Sequence, residues 1–162
     1  MDWLARLDYA RTVNTNFFWS QFEWLLMQAL SIVRVPLFGW IFLALVSGVF
    51  ISAALQNPFR SGRWKHHYFL VFTHALVFLA ILSVGVLYRV PFPDPTKPLL
   101  KENAVADWTL NILFFLSIIL SIFWVYRMRN LRWLAFFVVA LQELFLLSAL
   151  FVAGMSISGD WI

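Results

Sequence analysis

The sequence predicts an all-α, polytopic integral membrane protein, in which a four-helix transmembrane bundle follows N-terminal amphipathic helices at the membrane interface. Of its 162 residues, 62% are hydrophobic and only 12% are charged, which is far from the composition of soluble globular domains. The mean hydropathy of +0.81 agrees. Four of its apolar segments have about the 20 residues that a helix needs to cross a bilayer.

Residues 1 to 35 are predicted to form the interfacial amphipathic helices. In the first 14 residues, Trp3, Leu4 and Leu7 share one side of a helix. The amphipathicity of this segment is modest. A helix lying along the membrane surface therefore fits it best.

A second helix is expected to begin near Ser20. The run Asn14-Thr15-Asn16 should break the first helix, and Ser20 with Glu23 has the spacing of a capping box before an apolar stretch. That stretch is short, carries Gln28 and ends at Arg34, so it is not expected to span. A fifth crossing by residues 17 to 33 is the alternative.

The remaining chain, residues 36 to 162, is predicted to be one unit of four spans. Pro36 favours a fresh helix start, and charged or proline-rich connections separate the spans. The spans cover about residues 36–55, 68–88, 108–126 and 133–154. Aromatic residues near their ends are expected to be interface anchors, namely Trp64, Tyr68, Tyr88, Trp108, Trp124, Tyr126, Trp133 and Trp161.

The two short loops at residues 60–65 and 127–132 contain basic residues and no acid. Because basic loops stay in the cytoplasm, we expect both loops on the cytoplasmic side of a bacterial inner membrane. The net charge of +4 is dispersed in such clusters, so it indicates membrane orientation and not a nucleic-acid partner.

Three polar residues are expected at membrane depth. Glu143 lies near the middle of the fourth span beside Gln142, where an acid needs a partner, a proton or water. It either lines a pathway or holds helices together by hydrogen bonds. His74 lies inside the second span at a depth that permits a His74–Glu143 pair, and a bond to a serine or a backbone carbonyl is the alternative.

Small residues predict where helices pack closely. They recur at intervals of four on the first and third spans and of seven on the fourth, a spacing that lets helix backbones approach. The candidate packing residues are Ala44, Gly48, Ser52, Ser117 and Ser121, together with the series Ala135, Gln142, Ala149 and Ser156.

No motif specifies a reaction. The chain has no cysteine, no histidine cluster at the spacing of metal ligands, no hydrolase motif and no phosphate-binding loop. We therefore expect no catalytic, cofactor or metal residues and no enzyme activity. The leading hypothesis is a non-catalytic membrane subunit, in contact with the lipid bilayer, that assembles with itself or with other membrane chains. The alternatives are an oligomeric ion or proton pore lined by Glu143, and, more remotely, a b-type haem subunit.

Overall fold

The computed structural model describes residues 15–56, 65–89 and 104–159, and the first predicted amphipathic helix therefore lies outside the described residues. Within these ranges the chain is helical. In order, the elements are α1 (Thr15–Leu30), a 3₁₀ turn (Ser31–Arg34), α2 (Pro36–Gln56), α3 (Lys65–Leu87), α4 (Ala104–Arg127), a 3₁₀ turn (Arg129–Leu131) and α5 (Arg132–Ser158).

Helices α2 to α5 are each long and apolar enough to cross a membrane. They cover the four predicted spans to within a few residues at each end. The predicted fold class, an all-α bundle of four membrane-spanning helices, is thereby confirmed. Four such helices indicate an integral membrane protein in contact with a lipid bilayer.

Helix α5 is the centre of the bundle. It packs against α1, α2, α3 and α4, whereas α2 packs on α5 and on the turn that precedes it. Three small residues of this helix are fully buried, namely Ala135, Ala149 and Ser156. Their short side chains let the backbones of neighbouring helices come close. The helix ends at Ser158 and is capped by Gly159, whose φ of 77° is the left-handed conformation that glycine adopts without strain.

Helix α1 begins earlier than predicted. Thr15 is already helical and Ser20 lies inside the helix, where its hydroxyl donates to Phe17 O at 2.9 Å. The prediction that Ser20 caps the start of this helix is therefore wrong. The predicted end of the first helix near Asn14 lies outside the described residues and remains a prediction. Helix α1 extends upstream of Ser20, where Phe18 packs on the core of the bundle.

The C-terminal half of α1 is part of the bundle core. Leu25 and Ala29 are buried between α3 and α5, and Ser148 of α5 donates to Ala29 O at 2.7 Å. Carbonyls in the last turn of a helix lack regular partners, so this bond also completes α1. Arg89 lies over the Trp24 ring, 5.9 Å from its centroid, and partial burial lowers the pKa of its guanidinium. The predicted position of α1 at the membrane surface remains a prediction.

Candidate functional site

Polar side chains from three helices meet inside the bundle. His74 comes from α3, Ser117 and Ser121 from α4, and Glu143 from α5. The two serines are one helical turn apart, so both hydroxyls face the same neighbour. Away from their ends these helices are almost wholly apolar, and the cluster is the polar centre of α3, α4 and α5.

Glu143 binds hydroxyls of its own chain. Ser121 Oγ lies 2.5 Å from Oε1 of the carboxyl group, and Ser117 Oγ lies 3.2 Å from Oε2. The side chain is 20% exposed, at the edge of the contact between α4 and α5. The partner that an acid requires at this depth is thus a pair of serines on α4.

His74 is 1% exposed and has neighbours on both ring nitrogens. Nε2 lies 2.9 Å from Ser121 Oγ and 3.7 Å from Glu143 Oε1, while Nδ1 lies 3.0 Å from Leu70 O. Both contacts that the sequence left open are therefore present. The imidazole is near the carboxyl group and is also hydrogen-bonded to a serine and a backbone carbonyl.

Ser121 differs from most helical serines of the described chain. Ser52, Ser83 and Ser117 each donate to a carbonyl three or four residues earlier, as serine usually does in a helix. Ser121 makes no such bond, and its hydroxyl lies between His74 and Glu143. It is the link between the imidazole and the carboxyl group.

Gln142 and Trp124 lie beside this cluster. The Gln142 amide nitrogen is 3.5 Å from Val71 O, and its Oε1 atom is buried without a hydrogen-bond partner. Trp124, which the sequence suggested as an interface anchor, is half-buried and donates from Nε1 to Thr73 Oγ1 at 3.2 Å. It joins α4 to α3 next to His74.

The candidate packing residues divide between buried and exposed positions. Gly48 and Ser52 of α2 are buried, and a methyl group at Gly48 would overlap the Phe137 ring of α5. Ser117 and Ser121 are buried, but as partners of Glu143. Ala44 is exposed, so it is not buried against another helix of the described residues.

One close contact between α3 and α5 did not follow from the sequence pattern. A Cβ atom at Gly85 of α3 would lie 2.9 Å from Ala153 Cα on α5. One turn further along α5, Ser156 donates to Gly85 O at 2.9 Å. Ser156 belongs to the predicted heptad series on α5, but no repeat of small residues on α3 indicated Gly85 as its partner.

The fold and the cluster define a small helical membrane protein with a hydrogen-bonded polar centre. Across residues 15–56, 65–89 and 104–159, no three His, Cys, Asp or Glu side chains are placed to hold a metal ion. No protein-family model, curated protein or solved structure matches the chain. Its function must therefore be inferred from the geometry alone.

Proposed function

We propose that this chain is a non-catalytic integral membrane subunit that assembles with itself or with other membrane chains. The observation that carries the proposal is the position of Glu143. Both of its carboxyl oxygens face hydroxyl groups of α4 in the same chain. Polar groups used in this way hold helices together and do not need a substrate or an ion to satisfy them.

The pore alternative has less support. A pathway lined by several copies needs Glu143 to face a shared axis, as acids do in cation pathways. Here the carboxyl group turns toward α4, and only its 20% exposure favours such a role. A haem has less support still, because both His74 ring nitrogens already lie within 3.0 Å of other groups.

Helix α2 is the surface that we assign to assembly. It packs along one side on α5 and buries only Gly48 and Ser52 there. Its other sides carry large apolar residues that are 72% exposed at Phe50 and 80% exposed at Leu55. A helix that is held on one side only leaves its other sides open to a helix of a second membrane chain.

Photo-crosslinking tests this assignment. We expect a photoreactive phenylalanine derivative at Phe50 of α2 to give a discrete protein adduct in native membranes, since this side chain would meet the second chain. Phe115 on α4 is the matched control, because it is a phenylalanine of similar exposure, 62% against 72%. Mass spectrometry then identifies the adduct as a second copy or as another membrane chain.

An adduct from Phe115 alone would contradict the assignment to α2. The subunit proposal itself fails if neither position gives a protein adduct and the protein has the mass of a single chain in lipid nanodiscs. A conductance in reconstituted bilayers that Glu143→Gln abolishes would favour the pore.

The orientation gives a second prediction. We propose that the loops at residues 60–65 and 127–132 face the cytoplasm of a bacterial inner membrane, because both are basic and free of acids. The chain has no cysteine, so Ser61→Cys and Asn130→Cys introduce single thiols. A membrane-impermeant thiol reagent should label neither thiol in intact cells and both in inverted vesicles. Labelling in intact cells would reverse the orientation.

A further inference from the structure

The hydrogen-bond directions around His74 limit where its protons lie. Leu70 O can only accept, so the ring nitrogen 3.0 Å away, Nδ1, must carry a proton. If the ring is neutral, Nε2 has no proton and accepts a hydrogen bond from the Ser121 hydroxyl. If the ring is positively charged, Nε2 donates to Ser121 Oγ instead.

The direction of the hydrogen bond between Ser121 and His74 also determines the direction of the hydrogen bond between Ser121 and Glu143. The hydroxyl of Ser121 has one proton, and it makes no bond to its own helix that would occupy that proton. When Ser121 donates to His74, the bond to Glu143 Oε1 requires a proton on the carboxyl group. When Ser121 donates to Glu143 Oε1 and accepts from Nε2, His74 is charged, and the site has no net charge only if the carboxyl group is ionised.

We propose that His74, Ser121 and Glu143 form a proton-binding site that shares one exchangeable proton between the imidazole and the carboxyl group. In the transfer, the Nε2–H bond breaks as its proton passes to Ser121 Oγ, and the former hydroxyl proton of Ser121 forms an O–H bond at Glu143 Oε1. The reverse step restores the first arrangement. The site has no net charge in either arrangement, and no other reactant is needed.

The surroundings of His74 and Glu143 favour a site that carries no net charge. In the sequences of α3, α4 and α5, the other ionisable residues fall within the first four or the last two positions of a helix, and α2 has none. These residues are Lys65, His66, His67, Tyr68, Asp107, Tyr126, Arg127 and Arg132. A net charge at this depth would therefore have no nearby compensation, which favours keeping one proton between the two groups.

His74 and Glu143, the two ends of the hydrogen-bonded site, differ in their exposure to the surroundings of the bundle. Glu143 is 20% exposed, whereas His74 is 1% exposed and its far nitrogen is closed off by Leu70 O. Protons therefore enter and leave at Glu143 and go no further than His74. The site holds a proton inside the bundle and does not conduct protons across it, so this inference goes beyond assembly and does not depend on it.

Nitrogen-15 NMR of the imidazole ring tests the proposal. The full chain with His66→Gln and His67→Gln retains His74 as its single histidine. In lipid nanodiscs at neutral pH, we expect Nδ1 to be protonated and Nε2 to give a protonated or exchange-averaged signal. Adding Glu143→Gln should remove the proton from Nε2, because the amide cannot take part in the exchange.

Infrared spectroscopy measures the protonation of the Glu143 carboxyl group. The carbonyl band of a protonated carboxylic acid should be present at part of its full intensity and should disappear in Glu143→Gln. His74→Gln should raise this band to full intensity, since the shared proton then stays on Glu143. Circular dichroism confirms that each variant remains folded.

Two serine variants separate a relay from a general electrostatic effect. Ser121→Ala removes the link and should shrink the effect of Glu143→Gln on the Nε2 signal. Ser117→Ala removes the other hydroxyl on the carboxyl group and should leave that effect unchanged. The proposal is overturned if Glu143→Gln does not alter Nε2, or if Ser121→Ala and Ser117→Ala give the same result.

Discussion

Glu143→Leu is expected to lower the free energy of unfolding of the bundle by about 2 kcal/mol or more, the scale on which buried polar groups lose their partners. Ser121 and His74 would keep each other but lose the carboxyl group that completes their hydrogen bonds. Leucine also stabilises the unfolded but inserted helix, because it removes an acid from the lipid. Both effects act in the same direction. Unfolding in mixed detergent and lipid, followed by fluorescence, measures the change.

Two further substitutions show whether the loss belongs to the hydrogen bonds. Glu143→Gln keeps the shape and an acceptor, so it should cost less than half as much as leucine. Gln142→Leu is the matched control one residue earlier, where an acceptor is already buried without a partner, and it should be neutral or stabilising. Equal losses for the leucine variants at positions 142 and 143 would show that the serine contacts do not stabilise the bundle.

Hydropathy alone predicted the four long helices, because the bilayer sets their length and composition together. The start of α1 depended on contacts that hydropathy does not show. The capping pattern at Ser20 concerns only local hydrogen bonds, whereas the packing of Phe18 against the bundle favours a helix that begins upstream of Ser20. Tertiary packing therefore outweighed a short local signal.

Only part of the polar cluster followed from the sequence. Counting residues from the helix ends placed His74 and Glu143 at compatible depths, and their atoms approach to 3.7 Å. Depth does not give the rotation of a helix about its axis, so Ser117 and Ser121 were seen only as packing residues. Their role as partners of Glu143 depends on which side of α4 faces α5.

The contact at Gly85 shows the same limit for packing. One glycine without a repeat is a weak signal in a membrane helix, where glycine is common. The closeness of α3 and α5 arises from the pair that Gly85 forms with Ala153, and each residue is informative only once the other is known. Small residues on one helix predict an interface but not its partner.

Gly85→Ala is expected to destabilise the bundle by about 1–3 kcal/mol, as overpacking of a close contact does. The new methyl group would lie 2.9 Å from both Ala153 Cα and Ala153 Cβ. A backbone atom cannot rotate away, so α3 and α5 must separate. The separation also stretches the bond from Ser156 Oγ to Gly85 O. The same detergent and lipid unfolding measurement used for Glu143 gives the loss.

Gly154→Ala on α5 is the matched control, because the described part of the chain places no neighbouring atom within 4 Å of the added methyl group. Alanine should there raise stability by up to about 1 kcal/mol, the difference in helix propensity between the two residues. Gly48→Ala meets the Phe137 ring, a side chain that can shift, so its loss should fall between the other two. If Gly85→Ala proves no more costly than Gly48→Ala, α3 and α5 separate easily and their close approach does not hold the bundle together.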